Sequence, residues 1–354
     1  MSETRKGGVV SDLRAPFPYF GGKSRAAALV WERFGTPINY VEPFFGSGAV
    51  LLACPEQQRP RVETVNDANA HLANVWRAIS LYPEEVARAA DWPVIEVDLH
   101  ARHKHLLARI PEMRTALDAD PKWCDPELAG WWIWGASAWI GSGWCEEGNA
   151  ARAKLPAVGT HQAGQGGGTD RGRGVHAAGM REPSRQLPDA GVRSTDSASG
   201  RGVHSPKRRT RLYDFFAALS ARLRYTRVTC GDWARICTPA VTYRHGLTAV
   251  FLDPPYDGYE HLYSAAKEHE EPLSTRVRKW ALEMGVRSDM RIALCGYEGE
   301  HDMPASWECV AWKAKGGYSN QRADGENENA KRERIWFSPA CLRPGVTTGQ
   351  IRLF

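Results

Sequence analysis

Apolar positions fall into short, separate runs along most of the chain, and the runs alternate between two periods. Tyr40-Val41, Arg61 to Val65, Thr226 to Cys230, Ala249 to Leu252 and Met290 to Cys295 are brief and rich in β-branched or aromatic residues, which predicts strands. Between them, Ala26 to Phe34, Ala49 to Cys54, Ala68 to Leu81, Leu212 to Leu223 and a stretch around Leu273 to Met284 read as helices. Gly21-Gly22 turns the chain into the first of these and Gly46-Ser47-Gly48 into the second, which Pro55 stops. Strands alternating with helices predict an α/β fold with a parallel sheet. Trp307 to Trp312 and Glu333 to Phe337 predict a closing hairpin around a long polar loop.

The pattern breaks between residues 91 and 210. Five of the 14 tryptophans lie between Trp131 and Trp144, which predicts a buried aromatic helix anchoring a subdomain; a base-stacking surface is the alternative. Residues 151–210 are rich in Gly, Ser and Arg with little periodicity and read as loop. Within them Gly172-Arg173-Gly174-Val175-His176 recurs as Gly200-Arg201-Gly202-Val203-His204. Gly-Arg-Gly lets backbone approach a phosphate or groove while the arginine reaches inward, so the repeat favours nucleic-acid contact over an inert linker. The α/β pattern resumes at 211, which makes 91–210 an insertion in one sheet domain.

Charge sharpens this division. Residues 151–211 carry 12 Lys/Arg against 4 Asp/Glu, leaving 34 against 37 elsewhere, so one basic segment sits in a slightly acidic body. That suggests a localised contact with a polyanion. No apolar run is long enough for a membrane helix, and Met1 to Arg14 lacks the apolar core of a signal peptide. The eight cysteines form no CxxC pair; their scatter fits reduced thiols in a cytosolic setting better than a disulfide frame or a zinc site.

Candidate chemistry concentrates at predicted strand ends. Asp253-Pro254-Pro255-Tyr256 follows the run Ala249 to Leu252 directly. Two prolines cannot continue a strand, so a carboxylate, carbonyls without a competing N–H, and an aromatic ring gather where open α/β sheets build sites. An acceptor pair beside a stacking ring suits an exocyclic amine on a flat heterocycle. Phe44-x-Gly46-x-Gly48 follows a strand and precedes a helix, bringing backbone close to a ligand. Glu42 stands beside that turn, and Asp67 ends the next strand, where nucleotide sites hold ribose hydroxyls. Gly21-Gly22-Lys23-Ser24 is not a phosphate loop: Pro16 and Phe17 occupy the region of the required upstream glycine, and no strand precedes it.

Four segments in this order resemble an adenine-N6 DNA methyltransferase of the Dam type, with the alpha-group order of motifs. They are Pro18-Tyr19-Phe20-Gly21-Gly22-Lys23, Tyr40-Val41-Glu42-Pro43-Phe44-Phe45-Gly46-Ser47-Gly48, Asn66-Asp67-Ala68-Asn69 and Asp253-Pro254-Pro255-Tyr256. The resemblance covers residues 15–90 and 211–340; the repeats in the insert most resemble phage-borne members. It implies a Rossmann-like class I methyltransferase sheet divided as follows: 1–90 and 211–354 form the catalytic domain, and 91–210 a target-recognition insertion with a flexible segment at about 155–208. The implied cofactor is S-adenosylmethionine. Tyr19, Phe20 and Lys23, with Gly22, would flank its methionine part. Glu42, Pro43, Phe44, Gly46 and Gly48 would lie at the same end. Asp67 would take the ribose hydroxyls, and Asp232 the adenine, unless Asp232 merely ends a strand.

The resemblance also implies the chemistry. Asp253, which would lie near the cofactor too, and the Pro254 carbonyl would accept the two N–H bonds of the adenine amine, with Pro255 shaping the turn and Tyr256 stacking on the extruded base. Arg173, Arg201, Lys207, Arg208 and Arg209 would contact double-stranded or single-stranded DNA. No metal and no membrane is implied, and the enzyme would act as a monomer in the cytoplasm of a bacterial or phage-infected cell. Cytosine-N4 methyltransferases more often carry Ser in place of Asp253, and glutamine methyltransferases of release factors carry Asn. A non-catalytic DNA-binding module would have little reason to retain Glu42, Asp67 and Asp253 together. An Arg/Gly-rich insert suits phosphate and shape contacts, so a short or relaxed target sequence is expected. Deletion of residues 160–205 is expected to weaken binding to a DNA duplex while leaving S-adenosylmethionine binding intact, as measured by titration of each ligand; loss of cofactor binding would instead place the segment in the core.

Overall fold

The computed structural model describes residues 13–19, 22–120, 122–139, 144–145, 206–255, 271–312 and 332–344, with backbone alone for 206–210. The described elements begin with α1 (Ala27–Phe34), β1 (Asn39–Glu42), α2 (Ala49–Leu52), β2 (Val62–Asp67), α3 (Ala70–Leu81), α4 (Pro83–Ala90), α5 (Glu96–Ala119) and α6 (Pro126–Ala138). They continue with α7 (Pro206–Leu223), β3 (Thr226–Cys230), β4 (Thr248–Leu252), α8 (Leu273–Met284), β5 (Met290–Tyr297), β6 (Glu308–Ala311) and β7 (Glu333–Phe337). The chain divides into two compact units, Tyr19–Asn69 with Tyr225–Phe354 and Met1–Pro18 with Ala70–Arg224.

The first unit is built on one seven-stranded sheet in the order β3-β2-β1-β4-β5-β7-β6. Strands β1 to β5 pair in parallel, and β7 runs antiparallel to both β5 and β6. This is the mixed, mostly parallel sheet of a Rossmann-like fold, as the alternation of strands and helices predicts. β4 is buried on both faces along all five residues, which explains its unbroken apolar run. β3, at the edge, is only half-buried and reads Thr-Arg-Val-Thr-Cys. From β1 the chain moves outward through β2 and β3, then returns to β4 on the other side of β1. Order therefore reverses between β1 and β4, the switch point at which such sheets bind ligands.

Alternation of side chains assigns the two faces. Val41, Val250, Leu252, Ile292, Leu294 and Trp336 pack on one side with Trp233, Ile236 and the α8 residues Val277 and Ala281. Tyr40 points to the other face, where its ring stacks on Trp31 of α1 at 5.2 Å and meets Phe34 edge-on at 6.3 Å. The Trp31 indole N–H donates to the Val50 carbonyl of α2 at 2.7 Å, so α1 and α2 cover this face together. The long polar stretch between β6 and β7 lies outside the described residues.

Tertiary pairing moves several predicted boundaries. β2 runs two residues past Val65 because β3 pairs with it as far as Asp67 opposite Cys230. β5 continues to Tyr297, opposite Glu333 of β7. β7 lies between β5 and β6, an arrangement no local pattern predicts.

The second unit is helical. α4 packs on α6 and α7, and α3 on α5, α6 and α7. Leu72, Trp76, Val86, Leu106, Ile133, Trp134 and Phe216 fill its core. Asp125 caps α6 by accepting the Leu128 N–H at 2.9 Å, and its backbone exchanges two hydrogen bonds with the Asn74 amide of α3 (2.8 and 2.9 Å). The tryptophan-rich segment is core, as predicted, but its helix spans Pro126–Ala138 and ends before Trp139. Phe17 packs edge-on against Trp132 at 5.0 Å. Trp131 is half-buried and, with Trp92 and Trp134, surrounds the Arg102 guanidinium at 4.6–4.9 Å. α7 begins at Pro206, earlier than the loop reading of 151–210 allowed, because proline is pre-set for the first helical turn and Lys and Arg are good helix formers. α4 and α5 were not anticipated; Pro111 and a run of His, Lys and Arg obscure the period of α5.

Phe251, 1 % exposed on the central strand, should be the most sensitive kind of sheet-core position. Phe251→Ala is expected to lower the unfolding free energy by about 3–5 kcal/mol, read from urea denaturation.

Candidate active site at the carboxyl end of the sheet

Register carries five ionisable side chains to one face at one end of the sheet. Glu42 ends β1 opposite Val65, so Asp67, two residues further along β2, projects from the same face. Val41 pairs with Val250, which sets Glu42 level with Phe251. Phe251 in turn pairs with Ala293, and Asp253 and Cys295 each lie two residues on. Cys295 is opposite Ile335. Glu333 shares the face of Ile335 and, because β7 is antiparallel, opens its strand where β5 closes.

Lys23, 3 % exposed, enters this acidic group from the segment before α1. Its Nζ lies 2.9 Å from Asp253 Oδ2, 4.0 Å from Glu333 Oε2 and 5.7 Å from the centre of the Trp312 ring. Burial alone would lower the pKa of the ammonium; Asp253 and, after it, Cys295 and Glu333 outweigh that and hold it above its ordinary value. The buried Cys295 thiol is pushed well up by burial and then by the charge of Asp253, to which it hydrogen bonds. Glu42 accepts the Tyr40 hydroxyl at 2.7 Å. Burial raises Glu42 well above the carboxylate range; the Tyr40 bond pulls it back and the charges of Asp253 and Asp67 push it up again.

The glycine turn is shaped by close contacts. Gly46 and Gly48 have φ of +47° and +62°, where other residues are strained. A Cβ on Gly46 would lie 2.6 Å from the Tyr19 ring, and one on Gly48 2.7 Å from the Phe45 ring. The turn is tied to β2 through Asp67, whose Oδ2 accepts the Gly46 N–H at 2.8 Å and whose Oδ1 accepts the Asn69 N–H at 2.9 Å. Buried Asn66 completes the tie by donating to the carbonyls of Pro43 (3.1 Å) and Gly231 (2.9 Å). Burial lifts Asp67 to about 6 against those two backbone bonds.

Among the described residues the cluster therefore holds four carboxyl groups and one ammonium. Such a set repels phosphate and suits a ligand with a cationic centre. Asp67, with both oxygens already oriented by N–H donors, keeps lone pairs for hydroxyl groups. The donor set thus fits a sulfonium nucleoside.

Residues 19–92 match the family model of the D12 class N6 adenine-specific DNA methyltransferases. The matched stretch contains Tyr19, Lys23, Glu42, the glycine turn and Asp67. The match indicates an enzyme that methylates adenine N6 in DNA and takes a methyl donor, and the mostly parallel sheet agrees with the fold of such enzymes. No curated protein matches the chain. Among the described residues no helix is long and apolar enough to cross a membrane.

Most predicted site residues of this methyltransferase converge. Tyr19, Lys23, Glu42, Pro43, Gly46, Gly48, Asp67 and Asp253 belong to the arrangement above; Pro254 and Pro255 are buried beside Asp253, and Gly22 is exposed. Asp232 is exposed after β3, accepts the Ala234 N–H at 2.9 Å and lies 3.9 Å from the Arg276 guanidinium. It adjoins the turn through Trp233, which stacks on Phe44 at 6.2 Å. Phe20, Tyr256, Arg173 and Arg201 lie outside the described residues, and Lys207, Arg208 and Arg209 form the first turn of α7. Tyr40, Cys295 and Glu333 were not anticipated. The available signal for Glu333 was an acid opening the otherwise apolar run Ile335-Trp336-Phe337.

Asp67 makes stability depend on pH. Its pKa lies above the ordinary 3.8, so the folded chain binds the proton more tightly than the unfolded one, and the stability this confers is lost as pH rises from about 4 to about 6. Asp67→Asn removes that slope. Between about pH 3.5 and 6.5 the unfolding free energy of the variant, measured in urea, should gain on the wild type by about 3 kcal/mol.

Proposed function

We propose that the protein is an S-adenosylmethionine-dependent DNA adenine-N6 methyltransferase of the Dam type, related to phage-borne members. The observation that carries this is Asp253-Pro254-Pro255 at the carboxyl end of β4, beside the switch point and on the same face as Glu42, in a chain whose cofactor-loop region matches the family. S-adenosylmethionine, when bound, supplies an electrophilic methyl group on a sulfonium centre. Asp67 would hold its ribose hydroxyls, the glycine turn and Glu42 its methionine end with Tyr19 and Phe20, and Asp232 its adenine.

The protein's own task is to prepare the target nitrogen. An aromatic amine shares its lone pair with the ring and attacks poorly. A carboxylate and a carbonyl accepting its two N–H bonds favour a tetrahedral nitrogen with the lone pair directed outward. Lys23 occupies Oδ2 of Asp253. The Asp253 carboxylate is the acceptor for the amine, with the Pro254 carbonyl as second acceptor. Fixed acceptors aimed at developing positive charge stabilise the transition state without reorganising. Tyr256 would stack on the base once it has left the duplex. The eight cysteines are all free thiols, which supports a reducing compartment such as the cytoplasm. The basic stretch of 151–211 and the start of α7 supply the charge for DNA contact, so we assign target recognition to the segment between the two parts of the sheet unit.

Asp253→Ala is expected to reduce transfer of labelled methyl from S-adenosylmethionine to DNA by at least about 10²–10³-fold, with RNA and protein acceptors unlabelled by the wild type in parallel reactions. Full activity of the variant on DNA would overturn the assignment.

A further inference from the structure

Asp253 faces a difficulty in this role. A buried ammonium lies 2.9 Å from its Oδ2 and cancels the negative charge that a developing cation at the amine would need. One ion pair already balances the charges of the two groups, so charge balance does not require another acid. Yet Glu333 is placed 4.0 Å from the same Nζ, and its Oε2 is buried without a hydrogen-bond partner among the described groups. Burying a carboxylate that poorly is costly, and stability gives no reason for it.

We propose that Glu333 is a positioning residue for the methyl transfer: by sharing Lys23 it holds the ammonium against Oδ2 and returns net negative charge to the Lys23–Asp253 pair. The inference rests on the reading of Asp253 as the amine acceptor. Lysine has three donors in a tetrahedral head, so it can serve two carboxylates on one side while the Trp312 ring faces its charge at 5.7 Å. The three charged groups then total minus one, and the Asp253 carboxylate stays oriented by a fixed Oδ2 contact. The titratable groups that face Glu333 are Lys23, Asp253 and the Cys295 thiol. Burial raises the Glu333 pKa, Lys23 draws it back and Asp253 raises it further, so Glu333 is protonated at a higher pH than an exposed glutamate.

The test is steady-state methylation of a DNA duplex by the full chain at saturating S-adenosylmethionine, for Glu333→Gln and Glu333→Asp. Glu333→Gln keeps shape and removes charge. It should lower kcat about tenfold or more, with the cofactor dissociation constant changed by less than about threefold. The part of the acid limb of the kcat profile that follows Glu333 ionisation should vanish in Glu333→Gln. Glu333→Asp, which keeps the charge, should recover most of the rate. Wild-type kcat in Glu333→Gln, or equal losses in both variants that track a fall in Tm, would overturn the proposal. If Asp253→Ala is inactive while Glu333→Gln is normal, only the Glu333 inference fails; an active Asp253→Ala removes the reading beneath it.

Discussion

Parallel pairing of β1 with β4 is the constraint on which the site depends. A strand has a period of two, so once Val41 is set opposite Val250 the face of every neighbouring side chain is fixed. Glu42, Asp67, Asp253, Cys295 and Glu333 share one face only because each lies an even number of residues from a paired position on that face. A slip of one residue in any strand would move its acid to the side filled by Val250, Leu252, Ile292 and the α8 residues. The apolar core on that second face therefore fixes the chemistry on the first: the core resists a slip, and the slip is what would scatter the site.

This dependence explains what was legible in the sequence. Strand ends could be located because Pro254-Pro255 and the glycine turn break the pattern within one or two residues of the chemistry. Glu42, Asp67 and Asp253 were readable for that reason. Glu333 was not, since its relevance comes from antiparallel pairing of β7 against β5, a contact across nearly forty residues of sequence that no local period encodes. Cys295 looked like one more apolar residue of β5, and only register sets it beside Asp253. The helices α4 and α5 were missed for a different reason: Pro111 and the clustered His, Lys and Arg of α5 hide a helix that tertiary packing sustains. Lys23 was read from the sequence as a cofactor-flanking residue, and its ion pair with Asp253 across the sheet end was not legible there.

The site also sets folding against function. Glu42 and Asp67 are buried with raised proton affinity, and Lys23 is buried with its own affinity raised by the acids around it. Stability alone favours apolar residues at such positions. Retention of these groups at one end of a tightly packed sheet is the pattern expected where charge is held ready for a ligand rather than for the fold.

The distribution of that charge matters more than its amount. Asp67 is engaged by two backbone N–H groups and Glu42 by the Tyr40 hydroxyl, so both are oriented by neutral donors. Asp253, in contrast, is paired with a cation. Orientation by a cation gives the more rigid acceptor, because the bond is charge-assisted, but the weaker one, because the charge is shared. A second carboxylate on the same lysine removes that compromise, keeping the rigid contact and restoring the field. On the proposed reading of Asp253 as the acceptor, the position of Glu333 at the start of β7 would let a single buried lysine orient that acceptor without silencing it.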